Sequence, residues 1–131
     1  METAETLPDE EIRIVVADDE PLFVEMIQAM LAAEDGIDVV ATAPDGRVAV
    51  QLAAELRPDV IVMDVSMPVM DGIDATRRIC EEDPSACILI LTGGTTTGDV
   101  DRARKAGAST YLTKDRIATE LVTEIRTLGG Q

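Results

Sequence analysis

Apolar residues fall in five short, β-branched-rich runs, at Ile12–Ala17, Val39–Ala43, Val60–Met63, Ile88–Leu91 and Thr110–Leu112. The runs scarcely alternate between apolar and polar positions, as expected of strands covered on both faces. Between them the apolar positions recur at helical spacing. Leu22, Met26 and Met30 form an i, i+4, i+8 row in a helix predicted over Pro21–Ala33. Val48, Leu52 and Leu56 do the same over Gly46–Leu56, and Leu121, Ile125 and Leu128 mark a helix over Ala118–Leu128. Helices are also expected over Gly72–Glu82 and Asp99–Ala106, the latter offering a core only Val100 and small alanines.

Strict alternation of strand and helix with short connections predicts right-handed crossovers. The expected fold class is therefore α/β: a doubly wound five-stranded parallel sheet in the flavodoxin-like order 2-1-3-4-5, with helices on both faces. In that topology the functional crevice lies beyond the carboxyl ends of the strands, near the first and the third. Residues 1–11 are acidic and polar with one proline, and read as a disordered lead-in to a single domain over 12–131.

The crevice rule selects residues. The first run ends in Asp18, Asp19 and Glu20, and the third ends in Asp64. Carboxylates from two strand tips in one crevice repel one another unless a hard divalent cation sits between them, and oxygen ligands with room for water suit Mg2+. Taken alone, Asp18 and Asp19 read as caps for a helix opening at Pro21, and Asp64 as a turn residue before Ser66-Met67-Pro68. The fourth run ends in Thr92, followed by Gly93 and Gly94, and the fifth in Thr113 and Lys114. An acid pair, an acid, a hydroxyl and an amine thus meet at the ends of strands 1, 3, 4 and 5.

Composition narrows the function classes. A net charge of −15 over 131 residues repels nucleic-acid phosphates and anionic membranes, which leaves cations and basic surfaces as partners. No apolar run is long enough to span a bilayer. Cys80 and Cys87 lack metal-site spacing and no histidine is present, so reduced thiols in a cytoplasmic setting are expected. Phe23 and Tyr111 are the only aromatics.

The segments VVADDEPLF, VIVMDVSMPVMDG, ILILTGG and KAGASTYLTKD resemble the successive motifs of the response-regulator receiver family of two-component systems, over nearly the whole chain. The resemblance implies that Asp64 is the phosphoacceptor, Asp19 a direct Mg2+ ligand, Asp18 an outer-shell acid and Ser66 a backbone-carbonyl ligand. It makes Thr92 the hydroxyl that bonds the phosphoryl group, Lys114 its ionic partner and Tyr111 a rotameric switch, although Tyr111 reads equally as a ring filling half-buried space on an edge strand. The implied function is a signalling switch rather than a turnover enzyme. A sensor histidine kinase is the implied phosphodonor, and phosphorylation remodels the surface of the fourth helix and fifth strand, with homodimer formation as one consequence.

Asp115 follows Lys114 where much of the family has proline. This departure, with the DDEPLF opening, resembles the subgroup whose receivers precede a helix-turn-helix DNA-binding domain in transcriptional regulators, a domain these 131 residues do not include. Gly93, where the family has a slightly larger residue, opens access to the phosphoryl group. Two rival readings remain at this point. One is an aspartyl-nucleophile phosphohydrolase, which needs a second acid where Ser66 stands and an inserted lid. The other is a pseudo-receiver that keeps the fold as a phosphorylation-independent interaction module.

Overall fold

The computed structural model describes residues 11–93 and 97–130. Of the acidic lead-in, residues 1–10 lie outside the described residues, as does part of the Gly/Thr-rich stretch after Thr92. The five strands are β1 (Ile12–Ala17), β2 (Ile37–Ala43), β3 (Val60–Asp64), β4 (Ile88–Thr92) and β5 (Thr110–Thr113). The helices are α1 (Pro21–Ala32), α2 (Gly46–Leu56), α3 (Gly72–Glu82), α4 (Thr97–Ala106) and α5 (Ile117–Gly129). All strand pairs are parallel and the order is β2-β1-β3-β4-β5, as the alternation predicts.

Each buried strand feeds two cores. Ile12, Ile14 and Val16 of β1 join Val60, Val62, Leu89 and Leu91 on the side covered by Ile27 and Leu31 of α1 and Leu121 and Ile125 of α5. Val15, Ala17, Ile61, Met63, Ile88 and Ile90 face the other way, under Ala49 of α2, Ile73 and Ile79 of α3 and Ala103 and Ala106 of α4. This two-sided burial explains the near-continuous apolar runs, since alternate side chains of each strand point to opposite faces.

Strands β3, β4 and β5 each run one residue further than the apolar runs, so Asp64, Thr92 and Thr113 are themselves part of the ladder. In register, Asp64 pairs with Leu91 and Thr92 with Thr113. Strand β2 starts two residues earlier than expected because Ile37 and Asp38 pair with Ile12 and Arg13 after a turn at Gly36, whose φ of 82° suits glycine. A bulge then shifts register, so that Ile14 faces Val39 but Val15 faces Ala41. One expectation fails. The inward row of α1 is not Leu22, Met26 and Met30, because Leu22 is 78% exposed and Met26 47%. Phe23, Ile27 and Leu31, one position along, pack on the core instead, with Met30 at its margin.

Candidate functional site: an acidic rim with one lysine

β1 delivers Asp18 and Asp19 to the carboxyl edge of the sheet. Asp18 is buried, and its backbone N–H donates to the carbonyl of Ala43 on β2 at 3.0 Å. Its Oδ1 accepts the N–H of Glu20 at 2.9 Å, a two-residue turn that aims the chain into Pro21 at the start of α1. The capping reading of Asp18 and Asp19 does not hold, because Glu20 occupies the N-cap of α1 and no side chain caps the helix. Asp18 forms a turn ahead of it instead, and that turn uses only one of the two carboxylate oxygens. Asp19 projects outward and is exposed.

Asp64 ends β3 and is buried. The segment that follows it is held on both sides. The Val65 N–H donates to Leu91 at 3.0 Å, the Gly72 N–H to Val65 at 2.8 Å, and the Gly46 N–H to Met70 at 2.9 Å. Gly72 is required at its place, because a Cβ there would collide with the carbonyl oxygen of Asp64. Between these ties the Met70 N–H donates to Pro68 at 2.7 Å across Val69, whose φ is 69°. This is a γ-turn of the strained hand, and a β-branched residue is costly there. Asp71 then caps α3 by accepting the N–H of Asp74 at 2.8 Å.

Oxygens of Asp18, Asp19 and Asp64 lie within 4.8 Å of one another, a set that suits a hard cation. Lys114, just past β5, reaches across the sheet edge to the same place. Its Nζ is 3.2 Å from Asp64 Oδ1 and 3.5 Å from Asp18 Oδ2. Burial, with the charge of Asp18 next, pushes the Asp64 carboxyl up to about 6, against the opposing pull of Lys114. The Lys114 ammonium is drawn down by burial, but the charges of Asp64 and Asp18 outweigh this and raise it above the usual lysine value. One lysine thus offsets only part of the repulsion among three acids.

The other expected residues sort by distance from this cluster. Thr92, buried, ends the neighbouring strand at the same edge. Ser66 is exposed and lines an open cleft of about 520 Å³ together with Asp19. Tyr111 stands apart: it is 43% exposed on β5 and lines a groove with Val100, Ala103 and Arg104 of α4. It is thus exposed beside that groove rather than half-buried on the edge strand. Past Lys114 the chain enters a 3-10 turn, Lys114–Arg116, that leads into α5.

Two contributions were not foreseen. Asp99 and Arg102 of α4, joined at 3.1 Å, also line the cleft in front of Asp19. The ring of Phe23 lies under Lys114, with Nζ 4.4 Å from its centroid. The signal for Phe23 was available in principle. It sits in the first turn of a helix that starts at the acidic edge, and helical side chains lean towards the helix N-terminus, which aims the ring back at that edge.

A family model of the response regulator receiver domain matches residues 14–126. The chain is 37% identical over 122 residues to the transcriptional regulatory protein DegU of Brevibacillus brevis, covering 93% of this chain and 52% of that protein. It is 42% identical over 113 residues to protein-glutamate methylesterase/protein-glutamine glutaminase 2 of Anaeromyxobacter dehalogenans, covering 86% of this chain and 33% of that protein. The chain thus spans about half the length of the regulator and a third of the methylesterase. Among solved structures, a two-component response regulator of the LuxR family from Aurantimonas superposes with a TM-score of 0.85 at 38% identity, covering 89% of this chain and 84% of that one.

Proposed function

Because this chain belongs to the response regulator receiver domain family, we propose that it is a phosphorylation switch whose acceptor is Asp64. The observation that carries this reading is the meeting of Asp18, Asp19 and Asp64 at one sheet edge with Lys114 spanning two of them. A carboxylate oxygen of Asp64 attacks the phosphorus of a phosphohistidine on a sensor kinase. The phosphorus–nitrogen bond breaks in line with the attack, and the departing imidazole takes up a proton.

The donor set fits magnesium, with Asp19 and Asp64 as direct ligands, Asp18 as an outer-shell acid and the Ser66 carbonyl as a further ligand. When bound, the ion supplies charge neutralisation for the transferring oxygens. Lys114 then exchanges Asp18 for a phosphoryl oxygen while staying beside Asp64, and the Thr92 hydroxyl bonds another. Drawing Thr92 inward vacates space that Tyr111 can enter, and the face made by α4, β5 and α5 changes shape.

The twofold-longer transcriptional regulator supports an output role in transcription, with residues 12–131 as the receiver that controls a DNA-binding output domain or a partner. Phosphorylation then acts by exposing that domain or by pairing two receivers. The acidic charge keeps this segment itself off DNA. The described cysteines are free, which supports a cytoplasmic setting, and no helix among the described residues is long and apolar enough to cross a membrane.

Incubation with acetyl phosphate, with magnesium and with chelator, followed by intact mass measurement, tests the reading. The expected result is a single magnesium-dependent phosphoryl adduct that Asp64→Asn abolishes. Continuous phosphate release from many monoesters would instead indicate a phosphohydrolase, and absence of any adduct a phosphorylation-independent interaction module.

A further inference from the structure

We propose that Phe23 is a positioning residue for Lys114, holding the ammonium over its ring so that the N–H donors stay aimed at Asp64 and at whatever anion Asp64 receives. The inference rests on the phosphoacceptor reading of Asp64. Its basis is a three-part arrangement. The ammonium has Asp64 Oδ1 at 3.2 Å, Asp18 Oδ2 at 3.5 Å and the ring centroid of Phe23 at 4.4 Å. That last distance is well inside the range, within about 6 Å, over which the negative face of a benzene ring attracts a cation.

The ring is itself fixed. Phe23 packs against the core formed by α1 and α5, whereas its neighbour Leu22 and, one turn on, Met26 face solvent. The turn made by Asp18 and Glu20 sets where α1 begins, so the residue that shapes the acidic edge also sets the position of the ring.

The chemistry explains why an aromatic suits this place better than another apolar or a polar residue. A lysine stem is long and flexible, and an ammonium between two acids has several comparable poses. A carboxylate or amide at position 23 would accept one of its hydrogen bonds and compete with the incoming phosphoryl oxygen. An aliphatic side chain would exclude water from that flank but attract nothing. The ring attracts the charge without consuming a directed donor, so Lys114 can trade Asp18 for a new oxygen while remaining over the same face. Phe23 thus acts as a pivot.

The test replaces Phe23 in the full chain by 4-fluoro-, 3,5-difluoro- and 3,4,5-trifluorophenylalanine, which drain the negative face in steps while keeping shape and hydrophobicity. Phe23→Tyr serves as the conservative variant and Phe23→Leu as the aliphatic one. Beryllofluoride affinity at saturating magnesium should weaken stepwise, by roughly 3- to 10-fold at trifluoro, with Phe23→Tyr near wild type and Phe23→Leu at least as weak as trifluoro. The melting temperature should hold across the fluorinated series. In the metal-free protein the Lys114 ε-methylene should show a ring-shifted, ordered NMR signal that loses order along the same series. A flat affinity through the fluorinated set, or a loss confined to Phe23→Leu and matched by its fall in melting temperature, overturns the positioning role. Wild-type protein that binds no beryllofluoride and accepts no phosphoryl group overturns the reading of Asp64 instead. In that case the ordering of Lys114 over the ring is still decided by the NMR series.

Discussion

The two faces of the sheet are packed by different means. Among the described residues, on the side of α1 and α5 every buried member of the core is Ile, Leu or Val, and α5 docks through Ile117, Leu121 and Ile125. On the other side six of the described buried members are alanines, and α4 docks through Ala103 and Ala106. Burying an Ile or Leu contributes about 1.5–3 kcal/mol, whereas an Ala offers about one methyl group's worth, near 0.8 kcal/mol. The sequence of α4, TGDVDRARKA, adds little of its own, with Gly98 and Asp99 in its first turns. One sheet therefore clamps α5 and only lightly holds α4, the helix that borders the groove beside Tyr111 and supplies Asp99 and Arg102 to the cleft. A helix that must shift in response to one added group is cheaper to move when few large side chains anchor it.

The largest expected effect tests that difference directly. Leu121→Ala should destabilise the domain by about 2–5 kcal/mol, and Ala103→Gly by only about 1 kcal/mol, in urea unfolding. In native-state hydrogen exchange the amides of α4 should open at lower free energy than those of α5. Equal protection in the two helices would remove the contrast.

A second expectation concerns the acidic edge that both layers share. The Asp64 carboxyl is near 6 in the fold against an ordinary value of 3.8, so the native state holds this proton more tightly than the unfolded chain does. The stability this provides is complete below about pH 4 and is lost as the pH rises through 6, amounting to at most about 3 kcal/mol. In chelator, wild-type stability should fall across that window, and Asp64→Asn should flatten the fall and be about 1 kcal/mol or more stabler than wild type at pH 7. Millimolar magnesium should raise the wild-type melting temperature and the mutant's much less. A wild-type melt indifferent to both pH and magnesium would mean that the acids do not act as one site.

The smallest effect sharpens what the clamp is made of. Arg126 of α5 reaches Glu34 at 3.2 Å and the carbonyl of Asp35 at 3.1 Å, tying α5 to the end of α1 at the surface. Exposed pairs of this kind contribute little, so Arg126→Ala should change stability by no more than about 1 kcal/mol in the same urea assay. A loss comparable to that of Leu121→Ala would shift the credit from apolar burial to charge.

Much of this was legible in the amino-acid order, and the failures are as physical as the successes. Val60–Met63 and Ile88–Leu91 could be read as central strands because burial on both faces removes alternation, and the topology then placed Asp18, Asp64, Thr92 and Lys114 at one edge without any contact being known. The row on α1 could not be read, because PLFVEMIQAML contains two apolar rows one residue apart, and spacing is identical for Leu22-Met26 and Phe23-Ile27. Only the rotation at which the helix lies on the sheet separates them. The early start of β2 was hidden by Asp38, a polar residue at an outward position of an edge strand. The ring of Phe23 under Lys114 joins residues 91 positions apart, so it is legible only once the fold has brought the first turn of α1 and the end of β5 to the same edge.

The γ-turn at Val69 bears on how such a domain would be engineered. Val69 is 77% exposed and gains no core contact in exchange for a backbone conformation its branched side chain resists. Selection keeps a fold above a threshold rather than at its optimum, and a position like this is where slack accumulates. A glycine there would fit the turn's dihedral angles, so a thermostabilised version has an evident first substitution, one that leaves both cores and every acid untouched. It also lies in the same strapped segment as Ser66, so any gain in heat resistance would come with a readout of how far a tense loop contributes to switching.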